Sequence, residues 1–113
     1  GTQNKSYLYV DDCIDALVKI FEISKEKYSV YNLGSSSQVT VGSIVDMITE
    51  EAGYPDIEKY FTGGVDGGRG WIGDVKKMLL DCNKLRTIGW KPKLESKDAV
   101  KRTVHEFIQK IKE

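Results

Sequence analysis

Residues Thr62 to Val75 read TGGVDGGRGWIGDV, and two of their side chains carry most of the chemistry visible in this chain. Arg69 offers a planar guanidinium fork that suits the paired oxygens of a diphosphate. Trp71 offers an aromatic face on which a ring can stack. Six glycines fall between Thr62 and Gly73, and a backbone without Cβ atoms can bring its N–H groups close to an anion. Composition alone fits a mobile surface loop equally well. Gly68, Gly70 and Gly73 also form a GxGxxG pattern, but a dinucleotide fingerprint needs its first glycine directly after a strand and a helix directly after its last. Here the preceding apolar run ends near Thr62, six residues before Gly68. Trp71 and Ile72 stand where the helix should open, and no helical stripe follows Gly73. No Gly-Lys-Ser/Thr ending makes it a Walker loop. The pattern therefore argues against a dinucleotide cradle and leaves another anion site and a mobile surface loop both open.

The remaining composition narrows the classes. The chain has 113 residues, 40% of them apolar, enough for one domain with a core. Lysines and arginines number 17 and the acids 17, so the neutral balance argues against a nucleic-acid partner. Residues 1–73 hold 6 basic and 11 acidic residues, and residues 74–113 hold 11 and 6, which reads as a solvated basic face on C-terminal helices. No run reaches the roughly 18 to 20 apolar residues of a membrane span, so no membrane partner is expected. Cys13 and Cys82 read as small apolar fillers, and an unpaired couple of this kind fits a reducing, cytoplasmic setting. His105 is the only histidine, and no metal-ligand cluster can be built around it.

The elements that must position Arg69 and Trp71 follow from periodicity. Ser6–Val10, Ser29–Leu33 and Ile57–Thr62 are short apolar or β-rich runs that read as strands. Between the first two, Asp11 or Asp12 caps a helix whose face is Ile14, Leu17, Val18 and Phe21. Thr40 caps a second helix with Val41, Ile44, Val45 and Ile48 on one side, ended by Gly53. After the glycine loop the pattern leaves Asp74–Leu80 undefined. Asp81 then caps a short helix ending at Gly89, with Trp90 packing back on it. Ser96 caps a last helix striped by Val100, Val104, Phe107, Ile108 and Ile111. The expected fold is α/β: a small parallel βαβαβ unit, a glycine-rich loop and two C-terminal helices. Parallel strands need cover on both faces, and four helices are few for strands this apolar. A partner surface is missing from the count.

Three stretches in order resemble the nucleotide-sugar epimerases and dehydratases of the extended short-chain dehydrogenase/reductase family, which includes UDP-glucose 4-epimerase. The first is Gly1–Asp12. The second is Val30–Ser35, followed by Thr40 and Val41 at a helix start. The third is Gly73 and Asp74, then Asp81, Leu85 and Gly89–Pro92. The resemblance implies a fragment of a larger Rossmann-type enzyme. In that family the N-terminal domain carries NAD and the chemistry, with a Tyr-x-x-x-Lys pair, and the C-terminal portion holds the substrate's nucleotide diphosphate. None of the six tyrosines here has a lysine four residues later, so residues 1–113 match the C-terminal substrate-binding portion. The NAD-binding Rossmann domain lies outside this chain, and the chain alone is expected to be inactive and to hold no NAD.

Carried over residue by residue, Lys5 falls where the family often has an arginine on the diphosphate, keeping the charge but losing the fork. Arg69 stands two residues before Trp71, the position at which the family usually places its second arginine. Asp74 either contacts the ribose or fixes the loop. Asn32 matches a position best explained by backbone hydrogen bonding. The implied substrate-binding set is Lys5, Arg69, Trp71 and Asp74, with no catalytic, cofactor or metal residues. The implied partners are a nucleotide-diphosphate sugar and the missing domain, and the uncovered apolar surface gives the isolated chain a means of forming a homodimer. UDP-glucose 4-epimerisation is the favoured reaction, ahead of sugar-nucleotide dehydration. A stand-alone, non-catalytic binding or protein-interaction module with the same fold is the alternative.

Overall fold

The structure, a computed structural model, describes residues 1–113. The order is β1 (Asn4–Lys5), α1 (Val10–Ile23), β2 (Val39–Thr40), α2 (Val41–Glu51), β3 (Lys77–Met78), α3 (Asn83–Thr87) and α4 (Ser96–Lys112). The sheet order is β2-β1-β3, with β1 antiparallel to β2 and parallel to β3. Asn4 pairs with Thr40 on one side and Lys77 on the other. This small mixed sheet fastens three distant segments together. It draws the end of the glycine loop to the N-terminal residues, through Asn4 N–H to Lys76 O at 2.8 Å and Ser6 N–H to Met78 O at 3.1 Å.

The fold is thus α/β, but the expected parallel βαβαβ unit is not what forms. Ser6–Val10, Ser29–Leu33 and Ile57–Thr62 are not strands, and the residues that pair are polar or mixed dipeptides. A strand is made by its ladder partner, and these apolar runs have none within the chain. Some of their side chains find cover elsewhere: Leu8, Tyr31 and Leu33 pack on the core of Ala16, Leu85 and Trp90. Val30 stays 79% exposed.

The helices follow the sequence more closely, with two exchanges of role. Thr40 caps α2, its hydroxyl accepting from Ser43 N–H at 3.1 Å, and Gly53 follows the helix with φ of 85°. Gly89 ends α3 with φ of 81°, the left-handed turn that favours glycine. Asp81 accepts from Asn83 N–H at 2.8 Å at the start of α3. Asp12, however, is no cap. It lies inside α1, buried, and its carboxylate accepts from Lys93 N–H and Leu94 N–H at 3.1 and 3.0 Å. Ser96 likewise is the first residue of α4, not its cap. Both oxygens have distant backbone partners that outcompete a local capping role.

The stripe expected to bury α1 also points the other way. Ala16 and Ile20 face the core, whereas Val10, Ile14, Leu17, Val18 and Phe21 are exposed, Phe21 by 86%. Only 10 of 113 residues are buried. The radius of gyration is 16.8 Å and the thinnest extent 18 Å, against about 13 Å expected for the radius of a compact domain of this length. The molecule is a slab with a broad apolar side.

Candidate functional site

Asp74 is the hub of the site. It is 6% exposed, at the point where the glycine loop returns to β3. Its Oδ1 lies 2.6 Å from Lys5 Nζ. Its Oδ2 accepts from the Gln3 side-chain amide and from Gly70 N–H, the latter at 3.1 Å. The Lys5 ammonium holds this carboxyl below its ordinary range, with burial opposing and Gly70 N–H assisting. Asp74 is therefore a charged brace between the N-terminal strand and the loop. It is the loop-fixing role, of the two open in the sequence, that its buried bonds serve.

The loop itself is a built hairpin. Val65 and Arg69 exchange both backbone hydrogen bonds at 2.8 Å. Asp66, Gly67 and Gly68 make the turn, all at positive φ. Gly64 is also left-handed, and a Cβ there would collide with the Arg69 carbonyl, so only glycine fits that strand. Gly64, Gly67 and Gly68 thus shape a tight turn and its close backbone approach, where composition had left a floppy loop open.

The hairpin aims Arg69. Its Nε donates to Asp74 O at 2.9 Å. Its Nη1 donates to Asp66 O at 2.6 Å and to Asp66 Oδ2 at 2.7 Å. Those three bonds use Nε and Nη1, and Nη2 is left without a partner in the chain. Arg69 lines a cleft of about 490 Å³ with Gln3, Tyr60, Phe61, Thr62 and Gly64. An arginine lining a cleft walled by backbone and two aromatic residues can hold an anionic group attached to a ring.

All four residues singled out in the sequence meet here. Lys5 pairs with Asp74, Arg69 donates to the Asp74 carbonyl, and Lys5 Nζ sits 5.3 Å from the Trp71 ring centre. Only Arg69 lines the cleft; Lys5 and Asp74 stand behind it as its support. Trp71 is 64% exposed. Asn32 donates to Asp81 O at 2.9 Å, a backbone role as read from the sequence. Sequence reasoning passed over Gln3 and Asp66. The signal for Asp66 was present: an Asp-Gly-Gly turn three residues before an arginine.

A second polar network lies at the start of α4 and joins Ser35, Ser36, Ser37, Glu95 and Ser96. Ser35 and Ser36 hydroxyls donate to Glu95 at 2.5 and 2.8 Å. Ser96 N–H reaches Ser35 Oγ and Ser37 Oγ at 3.1 and 3.0 Å. The Ser96 hydroxyl accepts from Tyr7 N–H at 2.9 Å and lies 2.7 Å from Ser37 O. The Ser35 hydroxyl, aided by Ser36 and Ser37 against burial, holds Glu95 down to about 2. No three His, Cys, Asp or Glu side chains gather in a metal-binding arrangement, and no helix is long and apolar enough to cross a membrane.

No family model matches the chain. Among curated proteins it is 27% identical to a putative GDP-L-fucose synthase 2 of Arabidopsis thaliana, over 98% of this chain and 31% of that protein. It is 28% identical to a putative UDP-glucose 4-epimerase of Methanocaldococcus jannaschii, over 93% of this chain and 31% of that protein. Among solved structures, a UDP-glucose 4-epimerase of Thermotoga maritima with UDP-glucose is 32% identical. The superposition has a TM-score of 0.74 over 100% of this chain and 34% of that one. The chain thus spans about a third of the length of the relatives it matches. These likenesses bear out the resemblance to nucleotide-sugar epimerases read from the sequence, and are consistent with a C-terminal portion of such a protein.

Proposed function

We propose that this chain is the substrate-side, C-terminal portion of an NAD-dependent nucleotide-sugar epimerase, UDP-glucose 4-epimerase-like, with a sugar-nucleotide dehydratase as the neighbouring assignment. The observation that carries the reading is Arg69. Its guanidinium is held by Asp74 O and Asp66 through Nε and Nη1, Nη2 has no partner, and the residue lines a cleft of about 490 Å³. A charge-assisted hydrogen bond from that guanidinium to a phosphate oxygen would hold the nucleotide diphosphate. The sugar would then be placed against the missing domain. Lys5 supplies its charge through Asp74, as a brace to the loop and not as a direct ligand. Trp71 flanks that brace.

The missing domain is the proposed home of NAD and of the proton-transferring residues, since no tyrosine here has the lysine spacing that chemistry needs. The exposed stripe Val10, Ile14, Leu17, Val18 and Phe21 supports a packing partner of that kind, and speaks against a self-sufficient module. The chain alone is then inactive, and a cytoplasmic location suits an enzyme of this class.

Titration of the full-length protein with UDP, dTDP and GDP tests the reading. One of the three should bind, and Arg69→Ala should raise the KM for the matching sugar nucleotide roughly 10-fold or more if a charged hydrogen bond to phosphate is lost. Unchanged kinetics would remove Arg69 from the site.

A further inference from the structure

Asp66 holds Arg69 through its carbonyl, and its carboxylate makes a second contact with the same nitrogen. It is the only residue other than glycine with positive φ, 45°. Such a conformation is uncommon outside glycine, asparagine and aspartate. Its side chain is 68% exposed, so burial does not hold it there. What its position achieves is contact with Arg69: carbonyl and carboxylate oxygens both accept from Nη1, at 2.6 and 2.7 Å.

We infer that the Asp66 carboxylate is a built-in stand-in for the phosphate of a nucleoside diphosphate, competing with it for the Arg69 guanidinium and giving way when the ligand binds. The inference rests on the assignment of Arg69 as a phosphate ligand. The geometry makes the exchange cheap. The pair is at the surface, where ion pairs are weak and screened. The Asp66 carbonyl and Asp74 O hold the guanidinium independently, so the arginine keeps its aim when the carboxylate turns away into solvent. The exchange also filters ligands by charge. A neutral acceptor gains less from a guanidinium than a carboxylate does, whereas a diphosphate brings more charge and two sets of oxygens. A carboxylate left beside a bound phosphate would be repelled, so Asp66 sets the affinity as a competitor and not as a ligand.

The test is a double-mutant cycle in the full-length protein, with UDP as the probe and its Kd as the readout. Asparagine adopts left-handed backbone readily, so Asp66→Asn keeps the turn while removing the charge. Asp66→Gly is the second variant, relieving the strain as well. Thermal melting confirms that both fold. Each should lower the Kd for UDP by roughly twofold to fivefold, the range of an exposed ion pair. In the Arg69→Ala background the gain should vanish. If neither variant tightens UDP binding, or if the gain is as large without Arg69, Asp66 is not a stand-in, although Arg69 would remain the phosphate ligand. If Arg69→Ala alone leaves UDP binding unchanged, the assignment of the site falls and the inference with it.

Discussion

The two polar networks of this molecule are built on opposite plans. At the start of α4, serine hydroxyls, one carboxylate and backbone groups close on one another. Ser96 alone serves Tyr7, Ser35 and Ser37, and no buried side-chain polar atom goes without a partner. In the glycine-loop cluster, full charges are used and the outermost is left partly uncommitted: Asp74 is saturated, but Arg69, which lines a cleft, has an unpartnered Nη2. A saturated network holds segments together and has nothing left to offer a ligand. A network with a saturated base and an unsatisfied tip can do both. The difference separates a structural tie from a site, although both are rich in hydrogen bonds.

The largest effects should come from crossing the two. Ser96→Ala strands the part-buried Tyr7 N–H and cuts one link between α4 and the N-terminal segment. It should destabilise the fold by about 1–3 kcal/mol, read as a lower urea midpoint, while the Kd for UDP of the folded fraction stays the same. Arg69→Ala should do the reverse, weakening the nucleotide about 10-fold with an almost unmoved urea midpoint. If Ser96→Ala weakens nucleotide binding as much as Arg69→Ala does, the two networks are one unit and the contrast collapses.

A smaller effect sharpens the contrast through pH. Glu95 is held at about 2, from an ordinary 4.5, mainly by the Ser35 hydroxyl. A folded-state value below the unfolded one gives stability that is complete above pH 4.5 and is lost as pH falls toward 2. Ser35→Ala should lower stability at neutral pH and flatten its decline across that acid window, seen in urea melts at stepped pH. An unaltered slope would show that the serines do not set the Glu95 titration. Asp74 is lowered too, by Lys5, so the brace beneath Arg69 is also intact at neutral pH and fails only on the acid side.

The same contrast explains what could be read in advance. The helices were legible because one chain segment contains their whole pattern, from Thr40 through Gly53 for α2. The strands were not. Each is two residues long, and each exists only because segments 34 or more residues apart meet. The apolar runs that looked like strands carry the mark of burial without the partner that would make the ladder. Asp12 and Ser96 looked like caps because capping uses the same side chains, in the same place before an apolar stripe, as a long-range tie. Arg69 and Trp71 stood out by residue type. Lys5 and Asp74 came only through family resemblance, since nothing local says that positions 5 and 74 touch. Asp66 was legible in principle, three residues from Arg69, but its meaning depends on the hairpin that folds it back.

Trp71 should give the smallest effect and the finest test of where the site ends. It is 64% exposed and does not line the cleft, yet Lys5 Nζ lies 5.3 Å from its ring centre. An exposed cation–π contact is worth about 0.5–1 kcal/mol. If the ring acts only by steadying Lys5, and so Asp74 and the hairpin, Trp71→Leu should raise the Kd for UDP no more than about fivefold. That loss should be absent when Lys5 is already replaced by Met. If the ring instead stacks on the ligand, its removal should cost as much with Met at position 5 as with Lys. The cycle therefore decides whether the site ends at the Arg69 edge or extends across the loop to Trp71, because only a ligand contact survives the loss of the lysine between them.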